Sequence, residues 1–398
     1  MTDFARDTMS NPHLTGAVRR SVTIGLIGFL TLVDLFATQA ILPGLAQTYM
    51  VSPAQIGVAA NASTIGMAIA GLLAGALGTK LERRRGIWLS LALLSVPTAL
   101  LASAPNLAVF AALRIAQGLC MASAFTLTLA YLGERCSRSD AAGAMAAYVT
   151  GGVASNLIGR LAAATVAAHA GAEASFYFFA LLNLAGAALA SLVLSRTAPM
   201  AAADEPDRRF WAVWAEHLGN HALRRAFAIG FLILFAFIGT FTYVGFVLAA
   251  PPLSLSMMAA GLVFFVFLPS MVTTPFAGRL SARLGARNAL PGSLLVALAG
   301  LLLLLAPRLD AVVAGLVLVG IGTFFAQAAA TGYVGRMAGR DRAAASGLYL
   351  SFYYCGGLAG AAVVGQLFDS SGWTAAVLGN FVALALAAWL GRNLYEEE

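Results

Sequence analysis

The sequence predicts an all-α membrane protein with twelve transmembrane helices in two six-helix halves. Its composition is the first observation: of 398 residues, 60% are hydrophobic and 10% are charged, whereas soluble proteins carry about 25% charged residues. The grouping of the apolar residues is the second. They form stretches of about 20 residues, the length that crosses the hydrocarbon core of a bilayer as a helix.

Twelve such stretches, called spans 1 to 12, follow one another along the chain. We place them at 21–45, 55–78, 87–104, 107–132, 142–168, 174–195, 226–249, 257–277, 289–306, 310–335, 344–367 and 373–391. The first stretch is too long for a signal peptide and has no clear cleavage site, so we expect it to remain as a helix.

Positive charges lie mainly at one end of the spans. If the N-terminus is cytoplasmic, all 24 Lys and Arg residues except Arg114, Arg160 and Arg308 lie on the cytoplasmic side. Lys and Arg in short loops set the orientation of membrane proteins, so both termini are expected in the cytoplasm. This placement explains the net charge of +7 without a nucleic-acid partner.

The longest connection, 196–225, is predicted to be a cytoplasmic linker between an N-terminal half, 1–195, and a C-terminal half, 226–398. Phe210, Trp211 and Trp214 lie there among basic residues, a pattern typical of an amphipathic helix at the membrane surface. The histidines of this linker, His217 and His221, are expected to be surface residues and not metal ligands.

The two halves carry corresponding segments. The loop between spans 2 and 3 reads GALGTKLERRR from Gly75, and the loop between spans 8 and 9 reads GRLSARLGAR from Gly278. Gly151-Gly152 in span 5 likewise corresponds to Gly356-Gly357 in span 11, where we expect close helix packing. Two parallel repeats around a central linker are typical of transporters with a binding site between the halves.

Three motifs are similar to those of a known family. Span 4 contains Arg114-Ile-Ala-Gln117-Gly118, which resembles an R-x-x-Q-G proton-coupling motif. The two loops match the family's loop signature at Gly75, Lys80, Arg83, Arg84 and Arg85, and at Gly278, Arg283, Gly285 and Arg287, while Thr79 and Ala282 replace its acidic residues. On these motifs the sequence resembles the major facilitator superfamily over nearly its whole length.

The resemblance implies the twelve-helix fold of that family and a gating role for the two loops. The segment from Tyr148 to Arg160 is similar to a bacterial subgroup of arabinose or multidrug efflux permeases. This similarity implies that the protein exports its substrate across the inner (cytoplasmic) membrane of a bacterium.

Three charged residues lie inside the predicted spans: Asp34, Arg114 and Arg160. Charges at such positions are costly and mark functional sites, so we expect the three to be neighbours that couple transport to protons. Other interpretations stay open. In these alternatives, the role of Asp34 is only to neutralise Arg114, and the role of Arg114 is only to hold helices together. Arg160 binds the substrate, pairs with Asp34 or Glu173, or faces lipid.

Polar and aromatic residues in the spans are candidates for a substrate site, because such sites combine aromatic walls with a few polar groups. Thr31 and Thr38 share a helix face with Asp34. The full set is Thr31, Thr38, Gln117, Asn156, Thr240, Tyr243, Thr323, Gln327, Tyr349 and Tyr353.

These observations predict a secondary transporter that exports a small organic compound in exchange for protons. No phosphate-binding loop of the GxxxxGK[ST] kind is present, which argues against ATP coupling. We expect no enzymatic activity, cofactor or metal, and a monomer in the lipid bilayer. Two alternatives stay open: a carrier of an organic anion clamped by Arg114 and Arg160, and a transport-inactive sensor on the same scaffold.

Overall fold

The regular elements of the chain are helices wherever the computed structural model describes it, in residues 12–77, 82–135, 138–195, 210–339 and 342–394. Ten of the described helices are long and apolar enough to cross a membrane. The all-α membrane fold predicted from the composition is therefore confirmed.

We call spans 1 to 6 the first half. Span 1 comprises Pro12–Ala37, the 3₁₀ helix Thr38–Ile41 and Leu42–Tyr49; span 2 comprises Pro53–Asn61 and Ser63–Leu77; span 3 is Arg83–Leu100, followed by the 3₁₀ turn Leu101–Ser103; span 4 is Leu107–Arg135; spans 5 and 6 lie within the helix Arg138–Val193.

We call spans 7 to 12 the second half, and the short helix Phe210–Gly219 precedes them. Span 7 is His221–Ala249; span 8 comprises Met257–Val263, the 3₁₀ helix Phe264–Phe267 and Leu268–Leu284; span 9 is Ala286–Leu303; span 10 is Leu309–Met337; spans 11 and 12 lie within the helix Arg342–Arg392.

Two of the helices are too long for one crossing, and each is broken at a glycine. Gly171 has φ 87° and ψ 164°, and Gly372 has φ 77° and ψ −172°, a backbone conformation that residues with a Cβ rarely adopt. Counting both parts of each broken helix, the described residues contain twelve segments, as predicted. An even number of crossings brings the described termini to the same end of the bundle. We call this the terminal end and its opposite the far end.

The same glycine-mediated crossing occurs in both halves. A Cβ on Gly151 of span 5 would lie 1.8 Å from the backbone oxygen of Gly25 in span 1, and one on Gly356 of span 11 would lie 2.1 Å from the oxygen of Phe231 in span 7. Only glycine permits helices to approach this closely. The close packing expected for these glycines is confirmed.

One cluster of buried apolar side chains extends across the two halves. Met67 and Leu157 of the first half belong to the same cluster of buried side chains as Phe237 and Phe267 of the second. Spans 2 and 11 cross along this contact, where the Ser351 hydroxyl donates to the backbone oxygen of Ala68 at 2.9 Å.

The helix predicted in the linker is present as Phe210–Gly219. It packs against span 7 and the Arg342–Arg392 helix, so that His217 is buried at 6% exposure. The expectation of a surface position for His217 is therefore wrong, whereas His221 is exposed.

Candidate functional site

Two helix irregularities face span 5, one from each half. In span 1 the 3₁₀ segment Thr38–Ile41 precedes Leu42-Pro43, and in span 8 the 3₁₀ segment Phe264–Phe267 precedes Leu268-Pro269. Proline has no N–H for the carbonyl four residues earlier, which favours such a break. Both segments contact span 5 and deliver side chains to one of its residues, Arg160.

Arg160 is completely buried, with 0% of its side chain exposed. Its Nη1 donates to the backbone and side-chain oxygens of Asn156, and its Nη2 donates to Oε1 of Gln39. Its Nε–H has no hydrogen-bond partner, and no carboxylate in the described residues forms an ion pair with it. Arg160 is thus a buried cation with neutral partners only.

Four phenylalanine rings surround the guanidinium of Arg160. The ring centroids lie 4.7 to 5.6 Å from its central carbon, and the rings belong to Phe36 of the first half and to Phe241, Phe264 and Phe267 of the second. A desolvated cation–π contact is worth roughly 2 kcal/mol. The rings therefore offset part of the cost of burying this charge and hold it at the boundary between the halves.

Gln39 connects Arg160 to a hydrogen-bonded network across the halves. Its Nε2 donates to Asn61 of span 2 at 3.2 Å and to Thr242 of span 7 at 3.3 Å. Asn61 in turn donates to Thr242 at 3.1 Å. A change in the hydrogen bonding of the Arg160 guanidinium would therefore alter the contacts between spans 1, 2 and 7.

Arg114, by contrast, has a bond for each of its five N–H groups. Its side chain is 1% exposed, and an arginine has five donors in total. The acceptors are the backbone oxygens of Asp34, Leu35 and Ala60 and the side-chain oxygens of Ser63 and Gln117. In this arrangement Arg114 ties spans 1, 2 and 4 together and has no donor left for an anion.

Asp34 lies beside this cluster with its carboxyl group incompletely bonded. It is 3% exposed, and Oδ2 has no hydrogen-bond partner. Arg114 bonds the backbone oxygen of Asp34 and not its carboxylate, while the side chain of Asn183 in span 6 faces the carboxyl group. Asn183 also donates to Thr98, which accepts from Gln117. Asp34 and Arg114 are therefore neighbours, as expected, but Arg160 belongs to a separate cluster.

Three candidate substrate residues form hydrogen bonds within their own half, and a fourth is buried there. Thr31 donates to the backbone oxygen of Ile27, Thr240 accepts from Asn380 and Tyr243 donates to the oxygen of Ala361. Thr38 is buried in the irregular segment of span 1. Among the candidates, Asn156 contacts Arg160, and Gln117 contacts Arg114.

Three of the remaining candidates, Gln327, Tyr349 and Tyr353, form a third cluster in the second half, and Thr323 lies apart from their contacts. Tyr349 of span 11 donates to Gln327 of span 10 at 2.7 Å and stacks on Tyr353 at a centroid distance of 6.2 Å. The hydroxyl of Thr323 bonds its own helix at Val319. Their part in binding a substrate stays a prediction.

The gating-loop residues repeat one contact in each half. Arg84 donates to the oxygen of Ser191 at the end of span 6, and Arg287 donates at 3.0 Å to that of Arg392 at the end of span 12. Cations stabilise the carbonyl end of a helix. Arg83 is buried and Arg283 is exposed. Gly75 and Gly278 are helical, Gly285 separates spans 8 and 9, and Lys80 lies outside the described residues.

Sequence reasoning missed Gln39, Asn61, Asn183, Thr242 and the four rings around Arg160. Pro43, a proline inside an apolar span, was a signal for the helix break that contains Gln39. Pro269 was the corresponding signal in span 8. Asn61 and Asn183 are also amides inside apolar spans, where polar groups need partners. The rings carried no signal, because phenylalanine is common throughout these spans.

Twelve helical segments in the described residues, within helices long and apolar enough to cross a membrane and with the buried charges Asp34, Arg114 and Arg160 among them, are the architecture expected of a membrane transporter. The sequence matches the family described as the Major Facilitator Superfamily over residues 24–268 and 244–398. The chain belongs to this family, whose members are transporters and not enzymes.

Individual proteins agree with this assignment. The chain is 28% identical over 378 residues to the inner membrane transport protein YnfM of Escherichia coli (strain K12), covering 94% of this chain and 90% of YnfM. It is 26% identical over 383 residues to the MFS-type transporter YybF of Bacillus subtilis (strain 168), covering 95% and 94%. The crystal structure of a bacterial homolog to the human lysosomal transporter Spinster, inward-facing and unoccupied, has a TM-score of 0.76 at 14% identity and covers 96% and 97%.

Proposed function

We propose that the protein is a proton-coupled secondary transporter that exports a small organic compound. The observation that carries this proposal is the state of Asp34: a carboxyl group inside a membrane-spanning helix, 3% exposed, with Oδ2 unbonded. Such a group is costly to keep ionised, and its nearest cation spends its donors elsewhere. Asp34 avoids this cost if it binds a proton while it is buried and releases the proton when it is exposed to water.

Alternating access links the proton to the substrate in this proposal. The halves meet at the Arg160 cluster and at spans 2 and 11, so rocking them apart at either end would expose the groups between them. Asp34 lies in span 1 just before the 3₁₀ segment that contains Gln39, and Gln39 contacts Arg160. A shift of span 1 would therefore act on both clusters.

The direction and placement rest on sequence patterns. Export against inward proton movement follows from the resemblance to efflux permeases, and the distribution of Lys and Arg favours cytoplasmic termini. YnfM is named as an inner membrane protein, which supports the inner membrane of a bacterium as the location. We propose a monomer, because a binding site between its own two halves is complete in one chain.

Asp34→Asn tests the proton coupling. A substrate would first be identified by an export and susceptibility screen in a pump-deficient bacterium. Purified protein in proteoliposomes should then accumulate that substrate when a pH gradient is imposed, and Asp34→Asn should abolish this accumulation because the amide does not titrate. Binding of the substrate should remain, since the amide keeps the size of the side chain.

The matched control is Asp310→Asn, which removes a carboxylate that is exposed and paired with Arg308 at 2.6 Å. It should transport normally. Full gradient-driven transport by Asp34→Asn would refute the proposed coupling. A protein that binds the compound and never moves it would support the sensor alternative.

A further inference from the structure

The unused donor of Arg160 has a defined direction. In a guanidinium, Nε–H and one Nη2–H point in parallel from the same edge, an arrangement that matches the two oxygens of a carboxylate. In this protein Nη2 is bonded to Oε1 of Gln39 and Nε is bonded to nothing. Among the described residues, Gln39 is therefore the one partner of Nη2, and the Nε position of this edge has no acceptor.

The surroundings of this edge are apolar and aromatic. Phe264 and Phe267 of span 8 lie closest to the guanidinium, at 4.7 and 4.8 Å, and Phe36 of span 1 lies at 5.0 Å. Because these rings come from both halves, a separation of the halves would open the space between them. The walls so formed fit an apolar or aromatic body.

The charge also lacks a counter-ion. A buried cation without an opposite charge is strongly unfavourable, and the described residues place only the amides of Asn156 and Gln39 on this one. Arg114, by contrast, has the carboxyl group of Asp34 as a neighbour and an acceptor for each of its N–H groups. The two arginines therefore differ in what they can still bind.

We propose that the transported compound is a small organic anion whose carboxylate takes the Nε and Nη2 edge of Arg160, displacing Gln39, and whose apolar body lies among the phenylalanine rings. This inference rests on the proposed function, of which it specifies the substrate class. Displacement of Gln39 would also free the amide that bonds Asn61 and Thr242. Anion binding would thereby loosen a contact between the halves.

Binding to purified protein in detergent tests the inference without a proton gradient. The probes are radiolabelled 1-naphthoate and octanoate, each compared with its neutral amide. The carboxylates should bind at least about tenfold more tightly than the amides, as expected for a charge-assisted pair. Arg160→Gln should remove this preference. Arg160→Lys should weaken carboxylate binding severalfold, because an ammonium is a point charge without parallel donors.

Gln39→Glu is the second variant and does not depend on the folding of an arginine mutant. Its carboxylate would supply the missing counter-ion, so the variant should have a higher thermal midpoint than the unmodified protein and should no longer bind the carboxylate probes. The matched control is Arg308→Gln, which removes an exposed arginine paired with Asp310. It should leave binding unchanged.

Three results would overturn the inference: no binding of either carboxylate to the unmodified protein, equal binding of carboxylates and amides, or unchanged carboxylate binding in Gln39→Glu. None of these results affects the coupling proposed for Asp34. If the transported compound proves neutral or cationic and Asp34→Asn abolishes its gradient-driven transport, the proposed coupling stands and the anionic substrate is excluded.

Discussion

The carboxylate of Asp369 in span 11 accepts the backbone N–H of Ala54 in the first turn of span 2, with Oδ1 and Oδ2 at 3.2 and 3.3 Å from the nitrogen. This N–H belongs to a helix start, where backbone donors have no partner within the helix. The Tyr243 hydroxyl lies nearby, 2.3 Å and 2.2 Å from the positions that a Cβ on Gly57 and on Gly365 would take. The far end is thus held together by contacts between the two halves.

Asp369→Asn should loosen the far end. The interaction of a carboxylate with a helix N-terminus is worth about 0.3–1 kcal/mol, so the population open at this end should rise by roughly two- to fivefold. Distances between spin labels at Met50→Cys and Leu305→Cys, in a protein without its native cysteines, would report the change. Asp310→Asn, at the same end and without this contact, should not alter them, and an unchanged distance distribution in Asp369→Asn would contradict the contact's role.

Arg114→Lys should destabilise the protein even though the charge is kept. Lysine has three donors in place of five, so backbone oxygens of spans 1 and 2 and the side chains of Ser63 and Gln117 would compete for them. Breaking a buried charged network costs about 3–5 kcal/mol, which should appear as a drop of several degrees in the thermal midpoint in detergent. Arg308→Lys, on the exposed arginine, should leave the midpoint in place. A stable Arg114→Lys protein would show that the clamp is dispensable.

Gly151→Ala should separate spans 1 and 5, because the added Cβ would meet the backbone oxygen of Gly25 at 1.8 Å. Overpacking of this kind costs about 1–3 kcal/mol. Gly143→Ala is a matched control in the same helix, since a Cβ there has nothing within 4 Å. Thermal unfolding of both variants checks the prediction. Equal midpoints would mean that the helices move apart at no cost.

Ser351→Ala should shift the protein toward separation of spans 2 and 11. It removes the bond from the Ser351 hydroxyl to Ala68 in the other half, although that hydroxyl also bonds Gly347 in its own helix at 2.8 Å. A hydrogen bond of this kind contributes at most about 0.5–1.5 kcal/mol to the stability of the contact between spans 2 and 11. Spin labels at Leu192→Cys and Asn288→Cys, both near the terminal end, should show a larger separated population. Ser370→Ala, whose hydroxyl bonds Gln366 in its own helix, should behave like the unmodified protein.

Sequence reasoning succeeded for the helices because the membrane imposes a simple rule. A chain that crosses hydrocarbon must satisfy its backbone within a helix of about 20 apolar residues, and such stretches can be read directly. The spans, the glycine crossings at Gly151 and Gly356, and the candidacy of Asp34, Arg114 and Arg160 all follow from composition and position. The breaks at Gly171 and Gly372 also fall between predicted spans.

The partners of the buried charges were decided by the tertiary structure. Arg114 bonds backbone oxygens of Asp34, Leu35 and Ala60, and because every residue has such an oxygen, no residue type marks the acceptor. Arg160 lies among rings from spans 1, 7 and 8 that are far apart in the chain. The sequence determines the depth of a residue in the membrane but does not specify which helix faces meet. The packing of those faces places Arg114 beside Asp34 and places Arg160 away from both.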